Sequence, residues 1–127
     1  MNAVRRYAQA RNETASPERL MVLLFEAALR HMRAGAAALE KARSADATAA
    51  LSRAAEIVAH LDATFDARRA PELARNVGGV YRFVCSRLLA ASLTRDPVLA
   101  RDAERAFAPL ADAFGAAVEK VAMGAAR

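Results

Sequence analysis

The stretch T-A-S-P-E-R-L-M-V-L-L at residues 14–24 decides how the chain is read. Ser16 can accept a hydrogen bond from first-turn amides that have no partner inside a helix. Pro17 has its φ already set for the first helical position, and Glu18 puts negative charge at the positive end of the helix dipole. A helix therefore starts here, and its pattern runs over about residues 17–43, ending near Ser44-Ala45-Asp46, whose Ser and Asp suit a turn or cap. Arg19, Glu26, Arg30, Arg33 and Glu40 share one polar sector. The apolar sector holds two stripes. Leu20, Leu23, Leu24 and Ala27 form one, and Met21, Phe25, Leu29, Met32, Ala36 and Leu39 the other. Together they span roughly twice the ~100° that a surface helix buries. Either this helix is central to its fold, or one stripe faces a partner. Met21 and Met32 lie on the same stripe, and flexible thioethers suit a surface that adapts to what it binds.

Working outward, three further helical patterns follow. The second covers about residues 47–66, with Leu51, Ala54, Val58, Leu61 and Phe65 on one side. The third covers about residues 72–93, with Leu73, Val77, Val80, Val84, Leu88 and Ala91 inward. Asp96-Pro97 repeats the cap-then-proline signal and opens the fourth, about residues 97–122, whose inner stripe reads Leu99, Ala103, Ala106, Leu110, Phe114, Ala117 and Val121. Pro109 falls on that helix's polar face, where a bend is expected more than a break. Gly78 and Gly79, in the middle of the third helix, suggest a local break or a tight crossing inside the bundle in preference to close approach by another backbone. Phe83 lies off the main stripe. Short connections make neighbouring helices antiparallel, so the expected fold is all-α: an up-down four-helix bundle in a single domain spanning residues 1–127, with residues 1–15 as a mobile N-terminal arm.

Composition agrees. The 127 residues suffice for about one domain, alanine exceeds a quarter of them, and there is no Trp. The net charge of +5 comes mostly from arginines spread along the chain among Asp and Glu, which speaks for solvated helix faces and against a nucleic-acid site. One cysteine, Cys85, excludes an internal disulfide and fits a reduced, cytoplasmic setting; it reads as a small hydrophobe. The first residues lack a signal sequence, and no stretch is long and apolar enough to insert in a membrane. No catalytic constellation, cofactor motif or metal set is present: His31 and His60 lie on different helices without metal-ligand spacing, and the glycine pair follows no strand and precedes no Gly-Lys-Ser/Thr. The chain is not expected to be an enzyme.

Three blocks carry a resemblance. Tyr7 precedes T-A-S-P-E-R-L at residues 14–20, followed by Leu24-Phe25-Glu26-Ala27-Ala28. A second block reads Glu72-Leu73-Ala74-Arg75-Asn76-Val77-Gly78-Gly79-Val80-Tyr81-Arg82-Phe83-Val84, and a third Leu110-Ala111-Asp112-Ala113-Phe114. In type, order and spacing they resemble the FliS family of flagellar secretion chaperones, across almost the whole chain. Phe25 stands where the family usually has tyrosine, Ala27 where it has glycine, and Ser92 where asparagine is commoner.

The resemblance implies a chaperone that binds the disordered C-terminal segment of flagellin, stops it polymerising in the cytoplasm and delivers it to a component of the flagellar type III export gate. It also leaves room for a co-chaperone, and for the arm with Tyr7 to cap the client groove. Client segments that await coiled-coil partners expose apolar stripes, and a bundle with surplus apolar surface can cover them. The expected groove is supplied by Met21, Phe25, Leu29 and Met32 on the first helix and Val77, Val80, Tyr81 and Val84 on the third, with Tyr7 from the arm. The competing reading is a self-associating helical scaffold without a client, in which the second stripe makes a symmetric dimer.

Overall fold

The computed structural model describes residues 16–64 and 71–125 of the chain. They form four helices and no strand: α1 (Pro17–Glu40), α2 (Ser44–Thr64), α3 (Pro71–Thr94) and α4 (Pro97–Ala125). Each helix packs on its neighbours in sequence and α4 returns to pack on α1, so the order around the bundle is α1-α2-α3-α4, with α1 and α3 on one diagonal.

The cap at the start of α1 has the form its sequence suggests. Ser16 is extended, its side chain accepts from the Arg19 amide at 3.2 Å, Pro17 occupies the first turn, and Glu18 lies beside the positive end of the dipole. At the start of α4 the Asp96 carboxylate accepts from the Val98 amide at 2.9 Å. Pro109 lies within α4, which continues through it with Pro109 exposed to water.

The ends of α1 and α3 are another matter. α1 stops at Glu40, short of residue 43, because Ala42 turns left-handed at φ 57°. The amide of Arg43 then donates to the Ala38 carbonyl at 2.8 Å and that of Ala42 to the Leu39 carbonyl at 3.1 Å, the pattern of a Schellman end. Arg95, at φ 56°, does the same for α3, with the Asp96 amide donating to the Ala91 carbonyl at 3.3 Å. Neither position is glycine.

The core takes both stripes of α1 from Leu24 onward: Leu24, Phe25, Ala27, Ala28, Leu29, Met32, Ala36 and Leu39 are all buried. α2 contributes Leu51, Ala54, Val58 and Leu61 as its spacing suggests, and Ile57 besides. α4 is rotated from the expected stripe. Its buried residues are Ala100, Ala103 and Phe107, while Leu99, Ala106, Leu110 and Phe114 are only partly covered. A phenylalanine ring gains more from burial than the alanines it displaces, so Phe107 sets the rotation.

Two adjacent glycines and a third separate cleanly. Gly35 is where α1 and α2 come closest: a Cβ built on it would lie 2.7 Å from the Leu51 Cγ, and Leu51 is itself buried. Gly78 is buried beside Arg82 and Asp62, whereas a Cβ on Gly79 would meet nothing within 4 Å. α3 runs unbroken through both, so neither a break nor a tight internal crossing accounts for Gly79.

Replacing Gly35 by Ala is expected to destabilise the bundle by about 1–2 kcal/mol, overpacking against Leu51 exceeding the gain in helix propensity. Ala42→Gly should act in the opposite sense, by up to ~1 kcal/mol, because glycine relieves the left-handed backbone. Urea denaturation of the two variants beside the parent chain checks both signs.

Candidate functional site

Of the residues expected to form a client groove, Phe25, Leu29 and Met32 on α1 and Tyr81 and Val84 on α3 are buried in the core. Met21, Val77 and Val80 are partly buried and pack against its edge. Tyr7 lies outside the described residues.

The structure brings the two helices' stripes together indirectly, through α4. Phe107 stacks on Phe25 with ring centroids 5.3 Å apart and meets Tyr81 at 6.4 Å, and Phe114 stacks on the other side of Phe25 at 5.1 Å. Midway along the bundle, the space between α1 and α3 is therefore filled by α4.

Burial, and secondarily the charge of Asp62 on α2, pushes the Tyr81 hydroxyl up to about 12. The same two causes raise the Cys85 thiol, which stays protonated and unreactive at neutral pH.

The two ends of the α1–α4 seam differ. Toward the C-terminus of α1, Arg33 Nε donates to Glu104 at 2.7 Å, and Arg101 donates to both Glu104 and Glu40 at 3.2 Å. Burial alone would raise the Glu104 carboxyl, but hydrogen bonds from Arg33 and Arg101 outweigh it and hold the group below its usual value. Toward the N-terminus of α1 the same seam opens into a groove of about 460 Å³, floored by Val22, Leu29 and Ala111 and rimmed by Glu26, Asp112 and Glu119.

At that end the described part of α2 reaches Thr64. Antiparallel helices keep step residue for residue. Gly35 faces Leu51, so Thr64, the last residue of α2, comes level with about residue 22 of α1. Gly78 lies by Asp62, so the same Thr64 comes level with about residue 76 of α3. The first turns of α1 and α3 thus stand past the last described residue of α2. There Leu20, Met21, Val22 and Leu23 are four apolar residues in a row, all half-buried. Successive residues turn by about 100°, so they face nearly all the way round the helix, and the described elements bury none of the four fully. Val77 and Val80 of α3 are half-buried as well. Periodicity marked the surplus on α1; that the surplus is concentrated in its first two turns depends on where α2 ends.

Among the described residues no helix is long and apolar enough to cross a membrane. A family model described as flagellar protein FliS matches residues 1–121 of the chain. Among curated proteins, the flagellar secretion chaperone FliSB of Pseudomonas aeruginosa is 28% identical over 103 residues, which cover 78% of this chain and 82% of that protein.

A pH titration tests the packing of Tyr81. The folded chain keeps its proton to about 12 while the unfolded chain loses it near 10.0, so this group's contribution to stability is whole below pH 10 and is lost as the pH rises toward 12. In a Tyr7→Phe chain, where Tyr81 is the remaining tyrosine of two, tyrosinate absorbance is expected to appear near pH 12 together with loss of helical circular dichroism. Ionisation near 10 with the helices intact would contradict the buried placement.

Proposed function

The chain belongs to the family of the flagellar protein FliS, and from that premise we propose that it is a flagellar secretion chaperone whose client is the C-terminal segment of flagellin. In the cytoplasm it covers that segment against premature polymerisation and presents it to a component of the type III export gate, where a co-chaperone can assist. The observation that carries this reading is the run Leu20 to Leu23, four consecutive apolar residues that the described helices leave only half-buried. A client helix laid there gains burial that the bundle itself leaves unused.

Met21, Val77 and Val80 are the members of the expected groove that meet the client first; Tyr7, outside the described residues, is the contribution expected of the arm. Phe25, Leu29, Met32, Tyr81 and Val84 form the floor behind them and hold the groove's shape. A segment that folds on binding loses conformational entropy, so the contact is long and wrapping, on the order of 1,000–3,000 Å². The open end and the adjoining α1–α4 groove are the start of such a path.

Light scattering with a flagellin C-terminal peptide should show a one-to-one complex, and hydrogen exchange should show protection gained at residues 17–24 of α1 and 76–84 of α3. Met21→Glu is expected to weaken the complex at least ~10-fold while the bundle stays folded, since Met21 lies at the edge of the core. A constitutive dimer indifferent to the peptide would replace this reading with the self-associating scaffold.

A further inference from the structure

The outer face of α3, diagonally across the bundle from α1, carries large apolar side chains that no described element covers: Phe83 is 41% exposed, Leu89 62% and Leu93 75%. Asn76, Gly79, Phe83, Ser86, Ala90 and Leu93 follow each other at alternating steps of three and four. That is the spacing of the a and d positions of a heptad, and all six are exposed or half-buried, so the seam has no partner among the described residues. Gly79, Ser86 and Ala90 are small and lie among the large Phe83 and Leu93, giving the knobs and holes that a second helix needs. A membrane surface would gain little from Gly79, Ser86 and Ala90.

Gly79 supplies an independent argument. A Cβ there would meet nothing within 4 Å, so the bundle tolerates alanine and gains nothing from glycine. Glycine at mid-helix is destabilising. A backbone approaching from outside would require its absence of a side chain.

Charge defines the partner. In this heptad frame the flanking e positions read Val80, Arg87 and Thr94 and the g positions Arg75, Arg82 and Leu89, so the charges at the places where coiled coils form interhelical ion pairs are all positive. Arg87 lies over the Phe83 ring at 5.0 Å, Arg82 is exposed, and the chain has no Asp or Glu between Glu72 and Asp96.

We infer that the outer face of α3 is a docking seam for an amphipathic helix of a second protein, other than the client, with a narrow apolar stripe flanked by Asp and Glu. The seam needs nothing from the client reading. Like charge on the flanks would be repelled, so specificity comes from Arg82 and Arg87, and the small residues let the helix sit close.

The test uses the full chain and a designed helical peptide of about four heptads, with Ala and Leu in its seam and Glu at every e and g position, beside a control peptide carrying Lys there. Fluorescence anisotropy should show the Glu peptide binding at least ~10-fold tighter than the Lys peptide, and hydrogen exchange should place its protection on residues 79–93. The double variant Arg82→Glu/Arg87→Glu should reverse the preference. Gly79→Leu should weaken the Glu peptide at least ~10-fold without lowering the midpoint of thermal unfolding, while Gly79→Ala should raise that midpoint. Equal binding of the two peptides, or protection that falls on α1 instead, would overturn the inference. So would binding to phosphatidylglycerol-containing vesicles that Gly79→Leu leaves intact, a dimer of this chain broken by Leu93→Glu, or protection of residues 86–93, beyond the α3 segment expected to meet the client, by the flagellin peptide. Failure of the flagellin peptide to bind anywhere would count against the chaperone reading alone.

Discussion

Phe107 is the side chain on which the rest of the arrangement turns. It is the largest of the fully buried residues, and its ring reaches Phe25 of α1 and Tyr81 of α3, two helices that stand diagonally across the bundle. Removing such a ring from a packed core costs about 3–5 kcal/mol, a large share of the ~5–15 kcal/mol by which a domain of this kind is stable. With the axis filled from α4, the apolar stripes of α1 and α3 are drawn inward and spent on the core. What is left for a partner is what lies beyond the reach of that packing: the ends and the outer faces.

The α1–α4 seam shows how this distribution is kept. Arg33, Glu104, Arg101 and Glu40 tie its upper part together, yet exposed ion pairs of this kind contribute little each. Arg33–Glu104 and Arg101–Glu40 cross between α1 and α4, at the height consistent with Phe107 meeting Phe25. Below Phe114 no such network is seen among the described residues, and the seam opens between Val22 and Ala111. A chaperone has to offer apolar surface to a client without exposing the surface that keeps it folded, and large exposed patches invite aggregation. Separating a closed, ring-packed middle from an incompletely covered end satisfies both demands in one bundle.

Much of this was readable before any coordinates, and the rest was not for physical reasons. Ser16-Pro17 and Asp96-Pro97 signal helix starts because a cap is a local event, made by residues within a few positions of each other. The ends of α1 and α3 escape the same reasoning because Ala42 and Arg95 take the left-handed conformation without being glycine. Gly35, which the sequence gives no cause to single out, owes its role to Leu51 on a different helix. The rotation of α4 that buries Phe107 in place of Ala106 and Leu110 follows from which neighbours the ring can reach, and periodicity is silent on that.

Core and groove residues share the same 3.6-residue repeat for the same cause, the need to put apolar atoms on one side of a helix, so the stripe from Met21 to Met32 fits either role on paper. Length separates them. The described part of α2 reaches level with residue 22 of α1, and the same stripe is core from Phe25 onward and only half-buried at Met21. The adjacent glycines of α3 follow similar logic: one turn of 100° puts Gly78 against α2 and Gly79 in open space, two positions alike in sequence with opposite relations to the fold. Where internal packing explains a residue, the bundle suffices as its cause; where it does not, as at Gly79, Leu89 and Leu93, the cause has to be sought beyond the described helices.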